Sequence, residues 1–205
     1  MLLTILSNLA MLVVKPVIML EDIQKAVEVL RKGGVILYPT DTVWGLGCDA
    51  TSMLAAEKIY RLKGETEQKS LIVLVESFED LKKYVSMIPD TVQDLTEMIK
   101  EPITVVYRGA MNLASNVMSA DRTIAVRIPE DDFCKRLLRE FGKPITSATA
   151  RAKGTPLPIS FSKIPKEIVE NVGYVVQHNI GKVLRSKPSI MVCISENGEI
   201  QILRN

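Results

Sequence analysis

GGVILYPTDTVWGLGCDAT, Gly33 to Thr51, is the stretch whose reading decides the fold. Val35–Tyr38 is an apolar run of the length of a buried strand, and Pro39 ends it because proline has no N–H to give to a ladder. Thr40, Asp41 and Thr42 then set two hydroxyls and a carboxylate side by side, and Gly45 and Gly47 follow before the amphipathic helix Met53–Leu62. The glycines let the backbone turn and approach closely where a Cβ would intrude. Strand, polar loop and helix in this order read as a place to hold something.

Working outward, Glu21 and Asp22, then Ile23, Ala26, Val27 and Leu30 at helical spacing, then Arg31 and Lys32 before Gly33, predict a helix with charges matched to its dipole. LIVLV at Leu71–Val75 reads as a buried strand, Thr91–Ile99 as a helix, Ile103–Tyr107 and Thr123–Ile128 as strands, and Asp131–Phe141 as a helix. Pro144–Ser147 and Tyr174–Gln177 read as short strands. Ile190–Ile194 and Glu199–Leu203, joined through Glu196-Asn197-Gly198, predict a hairpin because Asn-Gly favours the turn that matches strand twist. Helices alternating with strands plus one hairpin give an α/β class with a twisted mixed parallel and antiparallel sheet and flanking helices. At 205 residues one domain over 21–205 is expected, with residues 1–20 a separate amino-terminal segment, either a leader or a first strand near Leu12–Ile18. Arg151–Pro165, with Gly154, Pro156, Pro158 and Pro165, is the longest loop candidate.

Composition excludes several functions. A net charge of +2 lacks the dense basic stripe of a dedicated nucleic-acid binder. Cys48, Cys134 and Cys193 are odd in number and without CxxC spacing, so neither a disulfide framework nor a zinc site is indicated, and a reducing cytoplasm fits. The amino-terminal apolar run is too short to cross a membrane, and no membrane association is expected. Gly45-Leu46-Gly47-Cys48-Asp49-Ala50 matches the dinucleotide fingerprint in letters, but its first glycine does not close the preceding strand. His178 is the single histidine, which removes a His-based metal cluster or triad. What remains is hydroxyls and cations on separate loops, with no covalent nucleophile.

Their order along the chain carries a resemblance. Tyr38-Pro39-Thr40-Asp41-Thr42-Val43-Trp44-Gly45-Leu46-Gly47 resembles the PT[DE]TVYGLG loop of the YrdC-like threonylcarbamoyl-adenylate synthases. Lys63 with Lys69-Ser70-Leu71-Ile72-Val73, the VR-x-P strand end at Val126–Pro129, Pro144–Ala150 with Ser147, and Pro188-Ser189-Ile190 through Ile202-Leu203-Arg204 continue it. The resemblance implies ATP, L-threonine and bicarbonate as substrates, threonylcarbamoyl-AMP and pyrophosphate as products, and a place in tRNA modification. It implies ATP contacts from Lys63, Thr104, Arg151 and Arg204, threonine contacts from Thr40, Arg127, Thr149 and Ser189, and loop support from Thr42, Gly45, Gly47, Lys69 and Ser147. Mg²⁺ would arrive on the nucleotide rather than in a protein cage, weak tRNA or double-stranded RNA binding is implied, and protein partners in tRNA modification are too.

Three positions depart from the family pattern. Glu65 stands where Lys-x-Arg has its arginine, Thr149-Ala150-Arg151 stands for Ser-x-Asn, and Glu101-Pro102 replaces Pro-Gly before the strand bearing Thr104. The departures resemble the YciO-type branch, which leaves two readings open: a synthase with an altered nucleotide contact, or an RNA- or ligand-binding module with little catalysis. An arginine lost at 65 and gained at 151 also predicts that Glu65 and Arg151 pair.

Overall fold

The computed structural model describes residues 2–65, 70–184, 187–195 and 199–204, with side chains described from residue 17 onward except at 97. Two sheets meet through one short segment. The first has the order β7 (Ala148–Thr149), β2 (Trp44–Gly47), β1 (Ile36–Pro39), β8 (Tyr174–Val175), with β1 antiparallel to β2 and parallel to β8. The second runs β10 (Ile200–Arg204), β9 (Ile190–Ile194), β4 (Ile103–Tyr107), β5 (Ile124–Arg127), β3 (Val73–Leu74), β6 (Ile145–Thr146). It mixes parallel pairs, β4 with β9 and β3 with β5, with antiparallel ones. The chain passes from β6 to β7 at Ser147, so Ile145–Thr149 edges both sheets.

The central strands are buried on both faces, which is why they read as unbroken apolar runs. Val35 and Leu37 enter one core cluster while Ile36 and Tyr38 enter the other, and Val73 and Leu74 divide in the same way. The smaller cluster packs α1 (Leu2–Arg31) through Ile23, Ala26, Val27 and Leu30 against α5 (Asp132–Phe141) through Phe133, Leu137, Leu138 and Phe141. The larger one carries α2 (Met53–Lys63), together with α3 (Phe78–Leu81), α4 (Thr91–Met98) and α6 (Lys166–Asn171). Helix ends follow their sequence signals. Ser52 and Asp131 accept from Ala55 N and Cys134 N at the starts of α2 and α5, and Gly64 and Gly142 take left-handed φ of 64° and 75° at their ends.

Two expectations change. The expected strand near Leu12–Ile18 is helical: α1 runs from Leu2 to Arg31, and Glu21 and Asp22 lie inside it rather than in its first turn. Apolar β-branched residues suit either element, and here the helix docked on α5 continues through them. Trp44–Gly47, read as a glycine loop, is strand β2, and neither glycine has a positive φ. The predicted hairpin strands pair as Ile200↔Ile194 and Ile202↔Val192, while its Asn-Gly turn lies outside the described residues. No helix among the described residues is long and apolar enough to cross a membrane.

Candidate functional site

The polar loop between β1 and β2 is folded on itself by Thr40. Its Oγ1 donates to Val43 O at 2.8 Å, accepts from the amides of Thr42 and Val43, and lies 2.9 Å from Thr42 Oγ1. Arg127, the last residue of β5, reaches this loop from the other sheet: Nη1 donates to Thr42 Oγ1 at 3.0 Å and Nη2 pairs with Asp41. Burial works against the Arg127 charge and lowers its pKa. The acid beside it, noted in the loop but given no role among the implied contacts, is what makes a buried guanidinium tolerable. The signal was present, since a carboxylate between two threonines in a buried loop needs a cation.

Thr104 joins this group through strand register. Val105 pairs with Val126, so one step further Thr104 stands across from Arg127 on the same face. Thr104 Oγ1 lies 2.7 Å from Ser189 Oγ, and Arg204 donates from Nε and Nη2 to Ser189 O at 3.2 and 3.0 Å and from Nη2 to Ser189 Oγ at 3.2 Å. The β1–β2 loop, the starts of β4 and β9 and the ends of β5 and β10 therefore assemble one polar cluster of Thr40, Asp41, Thr42, Thr104, Arg127, Ser189 and Arg204. Within it the buried Arg127 Nε and Asp41 Oδ2 make no hydrogen bond to the described residues.

A second group closes on the end of α2. Lys63 Nζ donates to Thr149 O at 3.2 Å and Arg151 O at 3.3 Å, and its third neighbour is Glu65 Oε1 at 3.5 Å. Lys63, Glu65, Thr149, Arg151, Ala152, Lys153 and Gly154 line a cavity of about 320 Å³. Desolvation lowers the Lys63 pKa and the nearby Arg151 adds to that, while Glu65 opposes both. The expected Glu65–Arg151 ion pair is replaced: Glu65 turns to Lys63, and Arg151 Nη1 donates to Thr155 O at 2.9 Å within its own loop. Gly64 bends the chain so that Glu65 folds back over α2, its amide bonded to Tyr60 O at 3.0 Å, and Lys63 is simply nearer.

Strand β2 joins the two groups. Gly45 pairs with Thr149, whose carbonyl holds Lys63, and Ala150 N donates to Trp44 O at 2.9 Å, while the loop entering β2 holds Arg127. The contacts thus place Thr149 with Lys63, and Ser189 with Thr104 and Arg204. Gly45 and Gly47 approach closely to protein rather than to open space: an added Cβ would meet Ser147 Oγ and Tyr38 Cε1 at 3.3 Å from Gly45, and Tyr38 Cε1 at 2.7 Å from Gly47. Lys69 lies outside the described residues.

This arrangement has relatives. A model of the Sua5/YciO/YrdC family, bearing the description telomere recombination, matches residues 28–205, and the chain belongs to that family. Its similarity extends to threonylcarbamoyl-AMP synthases of Pseudoalteromonas translucida strain TAC 125, 35% identical over 78% of this chain and 87% of the relative. The synthase of Vibrio cholerae strain O395 is 32% identical over 78% and 86%. Among solved structures, P. abyssi Sua5 complexed with L-threonine superposes with a TM-score of 0.80 at 26% identity, over 89% of this chain and 53% of that one. E. coli YciO shares the fold, with a TM-score of 0.77 at 23% identity over 89% and 88%.

Proposed function

We propose that this protein is a threonylcarbamoyl-AMP synthase, which joins ATP, bicarbonate and L-threonine and releases pyrophosphate. The observation that carries the proposal is the pair of buried atoms, Arg127 Nε and Asp41 Oδ2, that find no hydrogen-bond partner among the described residues, beside the hydroxyls of Thr40 and Thr42. A buried polar atom without a partner is rare and calls for one, and here a donor on a cation and an acceptor on an anion stand together. A zwitterionic amino acid with a side-chain hydroxyl supplies both complements. The threonine complex of P. abyssi Sua5 and the names of the bacterial relatives support the same reading.

In the reaction, threonine's amine takes up the carbon of bicarbonate with loss of water to form a carbamate. A carbamate oxygen attacks the α-phosphorus, and the bond to the bridging oxygen of the β-phosphate breaks, so that pyrophosphate leaves with the electron pair. No covalent protein nucleophile is required. The protein brings three reactants together and offsets phosphate charge through Lys63, Arg151 and Arg204. Mg²⁺ bound to the nucleotide would neutralise part of that charge, with no protein cage needed.

Pyrophosphate release is expected to require threonine and bicarbonate together, and valine is expected to support little turnover because it leaves the threonine hydroxyl's partners unpaired. Equal release without threonine would exclude the reaction. One observation favours a second reading, a ligand-binding module with little catalysis: the Glu65 carboxylate against Lys63 makes the cavity less positive. Threonine binding without pyrophosphate release would select it.

A further inference from the structure

We infer that Glu65 is an affinity-setting residue, a built-in anion that occupies the position on Lys63 which an anionic group of the ligand must take. The inference rests on the nucleotide reading of this cavity for the identity of the ligand, but not for the contact itself. An ammonium has three N–H donors. At Lys63 two of them point to main-chain carbonyls, Thr149 O and Arg151 O, and those acceptors are fixed: Lys153 N bonds Lys63 O at 3.1 Å, so the 149–153 loop is strapped to the end of α2. Only the third direction can be exchanged, and Glu65 Oε1 fills it.

Glu65 is held in place rather than passing by. The left-handed Gly64 and the bond from Glu65 N to Tyr60 O close the end of α2 and return the carboxylate onto the residue two positions earlier. Its side chain is 23% exposed whereas that of Lys63 is 9% exposed, so the carboxylate forms the outer wall of the ammonium and can swing towards water when displaced. Counting side chains, the cavity holds Lys63, Arg151 and Lys153 against Glu65. Among the described residues three cations and one anion line it, a balance that suits a polyphosphate, and that anion sits on the most buried of the three cations. Without a ligand Glu65 supplies the counter-charge that a buried ammonium needs, and with one it competes.

The consequence is a sign. Where Glu65 merely shaped the pocket, its neutral isostere would weaken binding; as a competitor, its loss must strengthen binding. Glu65→Gln is titrated calorimetrically with inorganic tripolyphosphate and with Mg·ATP at about 0.1 M salt, beside the wild-type protein and Glu79→Gln. Glu79, an exposed side chain on α3, pairs with the exposed Lys82 and gives the same change of net charge at a residue that does not line the cavity. Both probes are expected to bind Glu65→Gln about tenfold more tightly, roughly 1.4 kcal/mol, with Glu79→Gln unchanged and the gain lost in Glu65→Gln/Lys63→Met. Tighter tripolyphosphate without any ATP binding leaves the inference standing and removes the nucleotide reading. Equal or weaker binding of tripolyphosphate by Glu65→Gln, no binding by any protein, or the same gain from Glu79→Gln overturns the inference, and threonine-dependent pyrophosphate release by the wild type would then keep the synthase reading intact.

Discussion

Gly47 lies under the ring of Tyr38, and an added Cβ would stand 2.7 Å from Tyr38 Cε1 and 3.2 Å from Thr146 O. Tyr38 cannot yield, because it is wholly buried and its hydroxyl donates to Thr146 O at 3.1 Å. Gly47→Ala should therefore cost about 1–3 kcal/mol in urea unfolding, the usual toll of overpacking. Gly181→Ala, with open space around its Cβ, should stay within about 0.5 kcal/mol. Cys48, next along the strand, gives a pH test. Burial pushes its thiol from an ordinary value of 9.0 up to about 12, so the folded state holds a proton that the unfolded state releases. The stability this provides is complete below pH 9 and is lost as pH rises towards 12, at about 1.4 kcal/mol per unit from this group. Urea midpoints should fall between pH 9 and 11, and less steeply in Cys48→Ala. A glycine where no Cβ fits was legible in the sequence, but its neighbour was not, since the ring it meets belongs to a strand folded back on it.

Asp22 fixes how α1 meets the first sheet. Buried within the helix, its Oδ1 accepts from Tyr174 Oη at 2.6 Å and Gln177 N at 3.0 Å, and its Oδ2 accepts from His178 N at 2.6 Å. Asp22→Ala removes the carboxylate that three donors share and should cost about 3 kcal/mol or more, with faster amide exchange at Gln177 and His178 than in the wild-type protein. Unchanged exchange at those amides would show that the clasp does not hold the helix. From the sequence, Asp22 read as a first-turn charge because acids gather there, and only the partner 152 residues away reveals its role. Strand β2 was hidden for a related reason. Two glycines in four residues suppress strand propensity, and the partner strand β7 is itself two residues long. By contrast β4, β5, α2 and α5 carry their own patterns and caps, and their extents were readable to within a residue or two.

For the whole molecule, the motif order singled out Thr42, Thr104, Arg127, Ser189 and Arg204, which the fold brings together, whereas their pairings depended on which loops the two sheets join. Asp41 on Arg127 and Glu65 on Lys63 are such pairings, and they bear on RNA. A net charge of +2 leaves little excess positive charge, and two site cations already have acidic partners. Aromatic residues are 5% of the chain, and Trp44, packed at 5.4 Å on Phe161, is buried. Stacking platforms for unpaired bases are therefore scarce, and what binding there is must come from phosphate contacts. Affinity for tRNA or double-stranded RNA should be no tighter than about 10⁻⁶ M near physiological salt and should fall steeply as salt is raised. Fluorescence anisotropy across a salt series measures both quantities. Nanomolar binding that ignores salt would mean that the surface recognises bases rather than phosphates.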